Sequence, residues 1–212
     1  MRDLMDELAA VERRVAEGEV PAGPAHVVAL ARTYRAPRAD VWDALTEPDR
    51  LARWFLPVSG DLVLGGRYQF EGNAGGVVRQ CERPDRLVVT WEMGPVGALD
   101  ASLVEVTLRE VPGGTRLHLE HRAQVPPEFW DRFGPGSVGV GWDGGLLGLA
   151  LYLGGEELPS TEDLGSDPAL RAFNTASARA WGEAHRAAGA DPATVASGVA
   201  ATTQFYVPAL AG

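Results

Sequence analysis

The chain has 212 residues, 45% of them hydrophobic and 23% charged, and a formal net charge of −10. Such a composition excludes wholesale disorder, and a chain of this length buries roughly 70% of its unfolded surface without help from a metal or a disulfide. The 29 acids outnumber 19 bases, all of them arginine, so phosphate backbones and anionic membranes are repelled and neither nucleic acid nor membrane is expected as a partner.

Leu4, Leu8, Val11 and Val15 recur at spacings of four, three and four, which predicts an amphipathic helix over residues 3–17. Gly18 and the Pro21–Pro24 stretch end it. His26–Tyr34 alternates and is rich in valine and leucine, so it reads as a strand. Pro37 opens a helix carrying Val41, Trp42 and Leu45 on its buried side. A second short helix holds Leu51, Trp54 and Phe55, and Pro57 stops it.

From residue 60 to 122 the period changes to two. Strands are expected at Arg67–Glu71, Val77–Arg83, Arg86–Glu92, Ser102–Glu110 and Thr115–Arg122. The breaks carry turn chemistry: Gly65-Gly66, Gly72-Asn73, Pro84-Asp85 and Pro112-Gly113-Gly114. Connections this short favour an antiparallel meander.

Residues 126–136 read as a Pro/Gly-rich link, followed by a very apolar helix over 137–153. Trp142, Leu146, Leu149 and Leu153 form its stripe, and Leu147, Ala150 and Leu151 widen it, so the helix is buried on more than one side. Gly144, Gly145 and Gly148 each weaken it by about 1 kcal/mol against alanine. They make sense where backbones approach closely or where open space is kept. Asp167-Pro168 and Asp191-Pro192 are two further helix starts, a capping aspartate followed by proline.

Cys81 is the one cysteine, so no internal disulfide forms, and no Cys-based metal site can be built. The N-terminus lacks the apolar stretch of a signal peptide and no apolar run reaches the ~20 residues of a membrane span, so the protein is expected to be cytoplasmic. His118 and His121 lie on opposite faces of a strand and the other histidines are scattered, so no metal is expected. No phosphate-binding or nucleophile-elbow motif is present, and no cofactor is expected.

The order strand, two short helices, antiparallel strands, long helix resembles the START-like (SRPBCC) superfamily, an α+β helix-grip fold. The stretch from Arg32 through Val41-Trp42-Asp43-Ala44-Leu45 to Pro48 resembles its first strand and helix, and Leu51-Ala-Arg-Trp-Phe-Leu-Pro57 its second helix. Gly65-Gly-Arg-Tyr68, Leu87-Val-Val-Thr-Trp-Glu92 and Thr115-Arg-Leu-His-Leu-Glu-His121 follow in the expected order. Together they are similar to the branch named after the activator of the heat-shock-protein-90 ATPase. The resemblance covers about residues 26–155, leaving a helical extension at 1–25 and another at 156–212, the latter expected to pack back on the domain and cover one cavity mouth.

The resemblance implies a cavity between the sheet and the long helix. Alternation puts Tyr68 and Phe70 on one strand face and sets Trp91 beside Leu87 and Val89. His121 shares its face with Leu117 and Leu119 and should point inward, as a polar anchor or as a structural histidine. With Trp54, Phe55, Trp142, Leu146 and Leu149 these residues make the candidate cavity set, while Cys81 shares a face with Val77 and Arg79 and reads as a buried, inert thiol. Three functions follow as expectations. The first is binding of a small, mainly apolar molecule. The second is a chaperone- or stress-linked interaction module in which the extra helices make a homodimer contact. The third is a cyclase- or aromatase-like enzyme using His121 and Tyr68.

Overall fold

The computed structural model describes residues 3–93, 100–156, 158 and 166–209. Its strands are β1 (Glu12–Val20), β2 (Gly23–Tyr34), β3 (Val58–Gly60), β4 (Arg67–Phe70), β5 (Gly75–Glu82), β6 (Arg86–Thr90), β7 (Ser102–Val111) and β8 (Gly114–Ala123). They form one curved antiparallel sheet in the order β1-β2-β8-β7-β6-β5-β4-β3. The helices are α1 (Leu4–Ala9), α2 (Arg38–Thr46), α3 (Pro48–Trp54), α4 (Pro127–Phe133), α5 (Gly136–Leu153), α6 (Pro168–Ala187) and α7 (Pro192–Tyr206). Val28 and Leu30 of β2, Val104 and Val106 of β7, and Leu117 and Leu119 of β8 share one core with Val140, Leu146 and Leu149 of α5. This is the helix-grip arrangement.

The N-terminal helix is much shorter than its spacing predicts. It ends at Ala9, and residues 12–20 are instead an edge strand paired along its whole length with β2. Val11 and Val15, both buried, are four residues apart, a separation that satisfies a helix face and a strand face alike. Arg13 stands between them on the inward face and hides the alternation. The Gly18-to-Pro24 stretch is therefore a hairpin, closed by Val20 opposite Gly23, whose φ of 128° favours glycine. Two smaller differences follow: α4 lies within the expected link, and β3 adds a short strand beyond β4. Among the described helices none is long and apolar enough to cross a membrane.

Helix α5 is buried on two sides. One faces the sheet and the other faces α6, whose start is fixed by Asp167 Oδ1 accepting from the backbone N–H groups of Ala169 and Leu170. Close approach there depends on Gly139, where an added Cβ would sit 2.2 Å from the ring of Trp181. Gly139→Ala is expected to lower stability by about 1–3 kcal/mol, because the Trp181 ring is fully buried and cannot retreat. Urea unfolding checks this; an unchanged midpoint would mean that α5 and α6 are not in register.

Inside that contact lies Asp143, 1% exposed. Arg13 of β1 donates to it through Nε at 3.0 Å and Nη2 at 2.9 Å. Ser177 Oγ donates at 2.5 Å and Trp181 Nε1 at 3.0 Å, both from α6. Burial pushes the carboxyl above its ordinary range, and the converging donors pull it back. Every partner is a donor, the arrangement a carboxylate requires. The inward polar residue that disguised β1 is thus what ties β1, α5 and α6 together.

Candidate functional site

Between the sheet and α5 the core leaves a hollow of about 160 Å³. Trp54 at the end of α3, Phe55 after it, Tyr68 and Phe70 of β4, Trp91 just beyond β6, and Trp142 and Leu146 of α5 all line it. The strands reach it because alternate residues point inward. The α3 aromatics reach it because Pro48 starts that helix, and Trp54 is held by its indole N–H donating to Ala44 O at 2.8 Å.

The rings touch one another in a chain. Phe55 and Phe70 meet edge to face at 5.0 Å, Phe70 and Trp91 lie 5.8 Å apart, and Trp91 and Trp142 lie 4.9 Å apart. Such contacts fix the rings as rigid walls. The polar groups of the lining are largely used within the protein. Tyr68 donates its hydroxyl to Thr90 O at 2.6 Å, and Thr46 donates to Trp42 O at 2.8 Å. Burial pushes the Tyr68 phenol up, so it stays protonated at neutral pH. Among the described lining residues there is no carboxylate, arginine or histidine.

His121 points inward and is 6% exposed, but it stands behind the wall rather than in it. Trp142 Nε1 donates to its Nδ1 at 3.1 Å, and Ser102 Oγ lies 2.8 Å from its Nε2. Indole can only donate, so Nδ1 is bare and Nε2 carries the proton, donating to Ser102. Burial lowers its pKa to about 4, which leaves the ring neutral. Its place is to orient Trp142. Leu149 is fully buried but lies past the end of the hollow, so it does not line it.

The structure adds lining residues that periodicity did not single out. Strand β5 carries a register shift between Val78 and Gln80, and the extra residue reverses its facing. Cys81 therefore leaves the face of Val77 and Arg79 and lines the hollow together with Val78. Cys81 is also exposed rather than buried as expected, so the hollow reaches the surface beside it. Gly145 lines the hollow too, and an added Cβ there would meet nothing within 4 Å. Gly148 behaves oppositely, with Trp54 O 2.9 Å from such a Cβ. The α5 glycines thus divide between open space and close approach. No described residue of α6 or α7 lines the hollow, because those helices pack on α5, β1 and α4; residues 159–165 of the tail expected to cover its mouth lie outside the described residues.

Residues 35–154 match the family model described as "Activator of Hsp90 ATPase homolog 1-like protein". No curated protein matches. The crystal structure of CalU16 from Micromonospora echinospora is 32% identical with a TM-score of 0.67, covering 84% of this chain and 99% of that one. The solution structure of the same protein gives a TM-score of 0.70, at 32% identity over 85% of this chain and 97% of that one. DynU16, from the dynemicin biosynthetic locus, is 26% identical with a TM-score of 0.51, covering 60% of this chain and 47% of that one. The match over more than half the chain, on a helix-grip fold shared with these structures, makes this chain a member of the family of proteins like the activator of Hsp90 ATPase homolog 1, within the START-like superfamily.

Proposed function

We propose that the protein binds a small, flat, apolar molecule, one or two aromatic rings in size, between its sheet and α5. The observation that carries this is the aromatic-walled hollow with no charged residue in its described lining. An apolar cavity of about 150 Å³ is already enough to hold benzene. Catalysis by His121 and Tyr68 is not favoured, because both ring nitrogens of His121 and the Tyr68 hydroxyl are engaged within the protein. A relative in a biosynthetic locus supports a small molecule as the occupant.

Native mass spectrometry of freshly purified protein, compared with its Gly145→Phe variant, tests the reading. The phenylalanine grows into open space, and replacing a helical glycine should not weaken the fold. The wild type should carry or take up an aromatic molecule, and the equally stable variant should not. Equal uptake by both would place the binding elsewhere.

A second reading, a protein partner linked to Hsp90, follows from the family description and from Val63 and Leu64. These are 57% and 66% exposed, next to Leu62 at the edge of the hollow. Val63→Ser with Leu64→Ser should abolish binding to purified Hsp90 and leave aromatic binding intact. No binding of Hsp90 by the wild type would remove this reading.

A further inference from the structure

A larger hollow, about 430 Å³, lies further along α5, between α1, the end of β2 and the C-terminal end of α5. Its walls include Glu7, Arg32, Tyr34, Arg35 and Leu153. Arg32 is out of place by pattern: Val28 and Leu30 precede it on the inward face of β2, where a third apolar residue would be expected. It is 5% exposed, lies over the Tyr34 ring at 4.7 Å, and donates through Nη2 to Glu7 Oε2 at 2.5 Å. Its Nε and Nη1 are buried with no partner among the described residues. Buried donors left unmet are costly, and arginine uses its nitrogens to hold planar oxyanions.

We propose that this hollow is a second binding site, which takes the carboxylate of a small organic acid on Arg32 and Arg35. The charge around it sets the choice. Two arginines face one glutamate and the negative end of α5, whose partial charge is about half a unit. The remaining positive charge suits one negative charge better than two, so a carboxylate is preferred to a phosphate dianion. Tyr34, Ala150 and Leu153 give the carbon end of the acid an apolar floor. The site is separate from the aromatic hollow, with which it shares no lining residue.

The test is an NMR titration of the full chain with labelled arginine side chains, using acetate and inorganic phosphate at pH 8 and constant ionic strength. The Arg32 Nε–H resonance should shift and saturate with acetate, and phosphate should bind more weakly. Arg35→Ala, a change at an exposed side chain, should weaken acetate about threefold and keep the fold. Arg32→Met should abolish the acetate-induced shifts of backbone amides around the hollow. No saturable Arg32 shift with either anion would overturn the site and leave ordered water as the partner of those donors. Tighter binding of phosphate than of acetate would overturn the carboxylate assignment.

Discussion

Asp143→Ala is expected to destabilise the protein by about 3–5 kcal/mol, the largest effect of any single change considered. The substitution removes the acceptor of Arg13, Ser177 and Trp181 together and leaves an arginine that is 9% exposed with its charge unmet. The loss comes from the uncompensated cation more than from the pair itself, since a buried ion pair contributes little net stability over well-packed apolar residues. Combining Asp143→Leu with Arg13→Met should therefore recover the part of the loss that comes from the cation, while Ser177 and Trp181 stay without their acceptor, a non-additive result of the kind expected for groups in one network. Urea unfolding of the two single variants and the double variant measures it. A loss below about 1 kcal/mol in Asp143→Ala would mean that Arg13 reaches solvent and that β1 is not fastened to α5.

Acidification should cost stability through His121. Its folded pKa, about 4, lies below the ordinary 6.5, so the unfolded chain takes up the proton first. The contribution is fully present above pH 6.5, falls as pH drops from 6.5 towards 4, and levels off below 4. Its full size is about 3 kcal/mol. His185 is also lowered by burial and adds a slope of the same sign, so the total curve does not isolate His121. The difference between wild type and His121→Gln does, because the amide can accept from Trp142 without titrating. Unfolding free energies from pH 7 to 4 should converge between the two proteins as pH falls. Parallel curves would mean that His121 is not held neutral by burial. Protonation at Nδ1 would also break the bond from Trp142, so affinity for an aromatic probe should fall around pH 4, where the folded ring takes up its proton, and in the wild type only.

How much of this was legible in the sequence depends on which residues are considered. The Arg32-to-Pro57 stretch, the turn signals from Gly65 to Gly114 and the two Asp-Pro starts define most of the fold, because each is local chemistry with one reading. Residues 10–20 do not, since Val11 and Val15 fit both periods and only pairing with β2 decides between them. The aromatic walls were accessible to alternation: Trp54, Phe55, Tyr68, Phe70, Trp91, Trp142 and Leu146 all meet at the hollow. Cys81 was not, because a single bulged residue reversed its facing. His121 points the right way, but Trp142 comes from an element 21 residues later in the chain and stands in front of it, and strand periodicity says nothing about depth. Arg32 was visible as a polar residue in an apolar series, yet only its buried, unpartnered nitrogens give that a meaning.

The measurement that bears most directly on the aromatic hollow uses Cys81, the only cysteine of the chain, exposed and yet part of the lining. Its rate of alkylation by N-ethylmaleimide is followed with and without indole, a soluble, neutral, two-ring probe, in the wild type and in Gly145→Phe. Indole seated among Trp54, Phe70 and Trp142 should slow alkylation of the wild type at least about tenfold, in a saturable way, and leave Gly145→Phe unchanged. Alkylation at the same rate with and without indole in the folded wild type would contradict binding of a flat apolar molecule at this site.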